Sequence, residues 1–200
     1  MVTKIMKDDL KKSSMVALFD MDGTLCDYEG AMNRDLLKLA NEGDLKTMQS
    51  FGKNPLYLKA RMKLIKNQPG WWKYLPPLPI GFQILKIIRE YDFKIHVLTK
   101  GPYNTPSAWS EKVDWCRANL PEDTSITITE DKGLVYGKIL VDDYPVYIQK
   151  WLEWRPRGLV IMPASDYNKD FKHHNVIRYD GSEAMKAETI DRVRLASLRK

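Results

Sequence analysis

Asp20 and Asp22 stand one residue apart behind the apolar run 15–19, and Gly23 and Thr24 complete the turn. A short buried strand that ends in two carboxylates delivers both to the crevice at the carboxyl edge of an α/β sheet. Two such groups suit a metal-assisted phosphoryl transfer. One carboxylate attacks phosphorus, and the other moves the proton of the leaving oxygen.

Three more strand ends carry groups of matching chemistry. The run 93–98 ends in Thr99, Lys100 and Gly101, a hydroxyl plus free backbone N–H groups that together cradle a phosphate. The run 125–129 is followed by Glu130, Asp131 and Lys132, and the lysine can neutralise an aspartate nucleophile and a phosphate at once. The run 139–141 ends in Asp142 and Asp143, whose mutual repulsion a hard cation such as Mg²⁺ relieves. Lys138 is a second lysine near this segment, but it opens the strand that Asp142 closes. Four residues of extended chain span roughly 13 Å, which puts it at the far end from the crevice.

The elements that must position these groups are readable from periodicity. Helical spacing covers 31–42, 55–67, 80–91, 106–120, 146–154 and 182–198, and apolar strands fall at 15–19, 93–98, 125–129, 139–141, 159–161 and 175–178. Strands alternating with helices predict an α/β fold, a Rossmann-like parallel sheet with helices on both faces. Residues 26–78 break the rhythm with helices and no strand. They read as a small helical cap inserted after strand one, between core segments 15–25 and 79–200, with an N-terminal extension at 1–14. Phe51, Trp71, Trp72 and Tyr74 lie in that insertion. One of the two tryptophans, Trp71 or Trp72, is expected to line the pocket as a stacking surface for a nucleobase.

Of 200 residues, 44% are hydrophobic and 29% charged, which is ordinary for a globular domain with a real core. No uninterrupted apolar run reaches membrane-spanning length, so no membrane partner is expected. The stretch 1–14 holds Lys4, Lys7, Lys11 and Lys12 without an apolar region of the kind a signal peptide needs. Two cysteines, Cys26 and Cys116, make no disulfide framework and point to a reducing cytoplasm. A net charge of +6 fits a partner with negative charge: a nucleotide, another phosphate ester or nucleic acid. His173 and His174 read as a solvated loop, and the basic helix 182–198 as a packed helix with a charged outer face.

The motif Asp20 to Thr24 with Thr99, Lys132 and Asp142-Asp143 resembles the four motifs of the haloacid dehalogenase superfamily of aspartate-nucleophile phosphatases. The insertion ending at 71–79, the helix around 108–113 and the spacing of Lys132 ten residues before Asp142 are similar to the 5′(3′)-deoxyribonucleotidase branch. The resemblance implies roles. Asp20 would form an aspartyl-phosphate, and Asp22 would act as acid and then base. Thr99 and the amide of Lys100, with Gly101, would hold phosphate oxygens, and Lys132 would stabilise charge. Mg²⁺ would bind Asp20, the carbonyl of Asp22 and Asp142, with Asp143 ligating directly or through water. The chain departs from the branch at Lys100, where serine is expected, and at Glu130, where arginine is expected. Both departures bear on base and sugar preference.

The expectation is therefore a Mg²⁺-dependent phosphatase that hydrolyses (deoxy)nucleoside 5′-monophosphates, with a small-molecule nucleotide as substrate. A 3′-phosphatase acting on nucleic-acid ends and a catalytically inactive binding module are the alternatives. A homodimer is compatible with this sequence.

Overall fold

The computed structural model describes residues 15–40, 44 and 56–199. The 1–14 extension and Phe51 lie outside them. The described residues build a six-stranded, all-parallel sheet in the order β3-β2-β1-β4-β5-β6. The strands are β1 (Val16–Phe19), β2 (Lys94–Thr99), β3 (Ser125–Ile128), β4 (Ile139–Val141), β5 (Leu159–Pro163) and β6 (Val176–Tyr179). The helices are α1 (Tyr28–Lys38), α2 (Leu56–Lys66), α3 (Pro79–Arg89), α4 (Pro106–Asn119), α5 (Pro145–Trp154) and α6 (Glu183–Leu198). No described helix is long and apolar enough to cross a membrane.

The two-residue alternation of strand side chains sorts the core onto two faces. Ala17, Phe19, Val97 and Val141 pack with Ile84 of α3, Trp115 of α4 and Val193 of α6. Leu18, Leu98, Leu140 and Val160 pack on the other face with Ile148 and Trp151 of α5. Because both faces are covered, the central strands β1, β4 and β5 read as unbroken apolar runs rather than alternating ones.

Helix starts follow local chemistry. Proline occupies the first turn of α3, α4 and α5, where its missing N–H costs nothing. The helix expected at 31–42 begins at Tyr28, because the Asp27 carboxylate accepts the Gly30 N–H (2.9 Å) and caps it early. Strand β2 runs one residue further than expected, since Thr99 still pairs with Ile128.

Segment 26–78 leaves and rejoins the sheet domain at one point. Cys26 bridges Pro77 in antiparallel fashion, the Asp27 amide donates to the Pro76 carbonyl and the Leu78 amide to the Leu25 carbonyl, both at 2.8 Å. The described part holds α1 and α2 and no strand of the sheet. Its apolar residues Tyr28, Met32, Leu36, Ile65 and Trp72 belong to the same buried cluster as Phe19 and Val97. The segment is an outgrowth of one core.

The sheet order changes direction at β1. The chain proceeds through β2 and β3 to one side and resumes at β4 on the other. The carboxyl ends of β1 and β4 thus flank the crevice where ligands bind in open α/β sheets.

Candidate active site

Phe19 pairs with Val141, so the next residues, Asp20 and Asp142, emerge side by side at that crevice. The Asp20 amide donates to the Val141 carbonyl at 2.8 Å and fixes the exit of the chain. Asp143 follows, and carboxylate oxygens of Asp20, Asp142 and Asp143 lie within 4.8 Å of one another. All three residues are buried.

Lys132 sits in a one-turn 3₁₀ helix, Lys132–Leu134, which the Asp131 carboxylate caps. Its ammonium is 2.7 Å from both Asp20 and Asp142. Burial disfavours that charge, but Asp142 and Asp20 outweigh the effect and hold the lysine above its ordinary range. One lysine does not neutralise three acids. Burial, opposed by Lys132 and reinforced by Asp20, pushes Asp142 up to about 6. Burial and the two neighbouring acids drive Asp143 well above the carboxylate range. The surplus negative charge, on hard oxygen donors, fits a divalent cation such as Mg²⁺.

Asp143 is held from three sides. The Thr24 hydroxyl donates to one carboxylate oxygen (3.2 Å), the Tyr167 hydroxyl donates to the other, and Asn168 anchors the Asp143 carbonyl at 3.0 Å. Gly23 makes this possible. It adopts φ +73°, and a Cβ there would lie 2.3 Å from an Asp143 oxygen.

Asp22 points away from the acid cluster. Its carboxylate meets a different cation, Lys112 of α4, at 2.6 Å. Burial raises the Asp22 pKa, and Lys112 pulls against it. The Lys112 ammonium also donates to the Thr99 hydroxyl (3.0 Å) and the Lys100 carbonyl (2.9 Å), and lies 4.6 Å over the Trp72 ring. Lys112 is fully buried. The sequence reading assigned it no role. The signal was present: Ala108, Lys112, Trp115 and Cys116 form one stripe of α4, and a lysine on an apolar stripe is there for a reason.

These groups surround a cleft of about 360 Å³ whose walls include Asp20, Asp22, Lys100, Lys132, Asp143 and Trp72. Tyr28, Glu29, Lys66 and Tyr147 add further polar and aromatic surface. Four expected residues are absent from these walls; Asp142 is one, fully buried behind Lys132, to whose ammonium it is bonded. Thr99 is fully buried behind the cleft and is linked to its wall through Lys112 and then Asp22. Gly101 does not line the cleft; its missing side chain makes room for Trp109, whose indole would lie 2.2 Å from a Cβ there. Trp71 is half-buried edge-on against Tyr28 and Trp72, donates its indole N–H to Asp35 at 2.9 Å, and borders a separate surface groove with Arg34 and Tyr74. Trp72 is the tryptophan that turns inward. It is 3% exposed, stacks on Tyr28 at 5.5 Å and donates its N–H to the Lys66 carbonyl. Cys26 and Cys116 are buried free thiols, and burial pushes Cys116 up to about 12.

Comparison with known proteins identifies relatives of the chain. Residues 14–186 match the family model described as 5′ nucleotidase, deoxy (pyrimidine), cytosolic type C protein. A protein of Bordetella pertussis provisionally named a 5′(3′)-deoxyribonucleotidase is 27% identical over 168 residues, covering 78% of this chain and 87% of its own length. A Bordetella bronchiseptica protein of the same provisional name matches to the same extent. Among solved structures, a HAD-family hydrolase of Deinococcus radiodurans R1, crystallised with phosphate and sodium, superposes with a TM-score of 0.54 at 13% identity, covering 92% of this chain and 96% of its own. A HAD hydrolase of Entamoeba histolytica, family IA variant 3, gives 0.51 at 12% identity, covering 90% and 99%.

Proposed function

The chain belongs to the deoxy (pyrimidine) cytosolic type C 5′-nucleotidase family and is a phosphoric monoester hydrolase of the nucleotidase type; on that premise we propose that it hydrolyses (deoxy)nucleoside 5′-monophosphates through an aspartyl-phosphate formed on Asp20. One observation carries this reading. Asp20 and Asp22 open onto the same cleft but are paired with different cations, Lys132 and Lys112. Two nearby carboxylates with different environments take different roles.

Asp20, 2.7 Å from the Lys132 ammonium, supplies the oxygen that attacks phosphorus. Asp22, whose pKa burial raises, gives its proton to the nucleoside oxygen as the P–O bond breaks. Now a carboxylate, Asp22 takes a proton from the water that attacks the aspartyl-phosphate, which frees Asp20 and phosphate. Lys112 and Lys132 flank this path and balance charge on the phosphoryl oxygens. Asp20, Asp142, Asp143 and the Asp22 carbonyl would hold Mg²⁺, which supplies charge neutralisation and orientation of the phosphoryl group. The 26–78 segment acts as the cap. It brings Tyr28, Lys66 and Trp72 to the cleft, where they shield the reaction from water. The two buried free thiols support a cytoplasmic location.

The test is a phosphate-release screen across 5′- and 3′-monophosphates, with Mg²⁺ and with excess chelator, on the wild type and Asp20→Asn. Deoxynucleoside 5′-monophosphates should outpace small non-nucleotide phosphates, chelator should abolish release, and Asp20→Asn should lose several orders of magnitude, since an amide forms no acyl phosphate. Near wild-type turnover by Asp20→Asn would refute the mechanism. A preference for 3′-phosphorylated DNA would replace the substrate.

A further inference from the structure

The three buried acids of the cluster are not held alike. Asp20 accepts the Met21 amide (2.7 Å) and Asp142 the Tyr144 amide (2.9 Å), and both sit against the Lys132 ammonium. Asp143 forms no ion pair with a cation among the described residues. Yet one of its carboxylate oxygens lies within 4.8 Å of an oxygen of each of the other two. Like charges at that spacing repel, and a free carboxylate relieves the repulsion by rotating towards water. Asp143 borders the cleft, which is where it would turn. With no lysine of its own, it must be held by neutral groups.

Most of those groups come from one short turn to which the sequence reading gave no role. After β5 the chain makes a one-turn 3₁₀ helix, Asp166–Asn168. The Tyr167 hydroxyl donates to one Asp143 carboxylate oxygen, and the Asn168 side-chain amide donates to the Asp143 carbonyl at 3.0 Å. One turn thus grips the side chain and the main chain of the same residue. Asn168 is 1% exposed, and its hydrogen-bonding capacity is filled. It also donates to the Pro163 carbonyl (2.9 Å), and its oxygen accepts the Ser165 amide (3.0 Å) and the Arg178 Nε–H (3.2 Å). Arg178, on β6, donates as well to the Ser165 carbonyl at 2.9 Å. The turn is therefore fixed to β5 and β6 and does not follow Asp143 if that side chain is pushed. Tyr167 completes the arrangement: its ring forms part of the cleft wall while its hydroxyl points at Asp143.

We infer that this turn is a positioning element for the metal ligand Asp143, and that Tyr167 and Asn168, acting through Asp143, raise the affinity for Mg²⁺. The inference rests on the proposed Mg²⁺ site of Asp20, Asp142 and Asp143. A carboxylate already held in place gives up little rotational freedom when it binds, and hydrogen-bond partners of ligating groups typically contribute about 10–100-fold to metal affinity. The kind of holder matters. A lysine on Asp143 would neutralise it and compete with the cation, whereas a hydroxyl and an amide orient it and leave its charge for the metal.

Melting temperatures across a Mg²⁺ titration of the chelator-treated full chain at pH 7 test this without any turnover. Tyr167→Phe keeps the ring and removes one hydroxyl. It should weaken Mg²⁺ binding about tenfold or more, yet shift the metal-free melting temperature by no more than about 4 °C, the scale of one hydrogen bond. Asn168→Ser also loses the bonds to Pro163, Ser165 and Arg178. It should lower the melting temperature at every Mg²⁺ concentration and weaken Mg²⁺ binding as well. Tyr167→Phe is thus the variant that separates positioning from folding. A change in its Mg²⁺ affinity smaller than about threefold would overturn the inference whatever happens to stability, because the turn would then only brace the fold. A wild type that Mg²⁺ does not stabilise would overturn the metal site and, with it, this role for the turn.

Discussion

At the scale of single residues, the site separates lysines that look alike in the sequence. Lys132 touches Asp20 and Asp142, Lys112 touches Asp22, and Lys138 binds the Arg199 carbonyl at the far end of β4. Lys112→Met should lower kcat roughly 10²–10³-fold, the loss seen when one preorganised charge-stabilising group is removed. It should also move the alkaline limb of the pH–rate profile upward, because the charge that now lowers the Asp22 pKa would be gone. Lys132→Met should be at least as severe, while Lys138→Ala should stay within about twofold, as surface changes usually do. Steady-state kinetics across pH on the three variants decides; a Lys138→Ala loss matching that of Lys132→Met would refute the assignment. Asp20 and Asp142 were legible because each sits one step beyond an apolar strand, where direction is set by the strand itself; Asp22 and Lys132 lie further on and are aimed by the turns that follow β1 and β3. Lys112 was not legible. It reaches the site from the second turn of a helix, and nothing local to its sequence says which strand end that helix crosses.

At the scale of elements, the return limb of the 26–78 segment explains why Trp71 and Trp72 could not be told apart in advance. They occupy a turn rather than a helix or strand, so no period assigns them a face. The Asp35 and Lys66 contacts that orient them come from α1 and α2. The Trp72 ring carries the Lys112 ammonium, so it serves the phosphate end of the site as well as any base. Trp72→Leu should therefore reduce turnover of a nucleotide and of a simple aryl phosphate together, by about tenfold or more. Trp71→Phe, which removes the bond to Asp35 but keeps a ring against Tyr28 and Trp72, should change neither. Paired kinetics on both substrates checks this, with melting temperatures to confirm folding. A loss confined to the nucleotide would mean that Trp72 serves only as a base platform.

At the scale of the whole molecule, the buried acid cluster ties stability to pH and metal. Without a cation, Asp142 and Asp143 titrate higher in the folded chain than in the unfolded one. The folded state then binds more protons, so stability is fully present below the unfolded carboxylate pKa near 4 and falls as pH rises through about 6. Metal-free protein should melt several degrees lower at pH 7 than at pH 4.5. Millimolar Mg²⁺ should recover most of the difference at pH 7 and little at pH 4.5, where protons occupy the same oxygens. Thermal scans at both pH values, with and without Mg²⁺, test the sign. A metal-free protein that gains stability between those pH values would show that the three acids are not the dominant charged group. A parallel sheet covered on both faces was foreseeable from the apolar runs; the strand order was not, because a run does not say which strand it pairs with. The merging of the 26–78 segment into the same core was not, because periodicity identifies an apolar face without naming what it packs against.

Glu111 stands next to Lys112 on α4, and its carboxylate accepts the backbone N–H of Gly70 at 2.8 Å and of Trp72 at 3.2 Å. Trp115, one turn further on, donates its indole N–H to the Leu75 carbonyl at 2.7 Å. The limb that closes the cleft is thus riveted to the sheet domain in three places, and it cannot swing as a door without first breaking them. Its amides become a clock for how substrate enters. If the limb stays docked while nucleotides come and go around α1 and α2, the Gly70 and Trp72 amides should exchange with deuterium about as slowly as the amides of β1, through global opening. Glu111→Gln keeps one acceptor oxygen, replaces the other with an NH2 group that cannot accept, and removes the charge; it should speed exchange at those two amides roughly tenfold while leaving β1 unchanged.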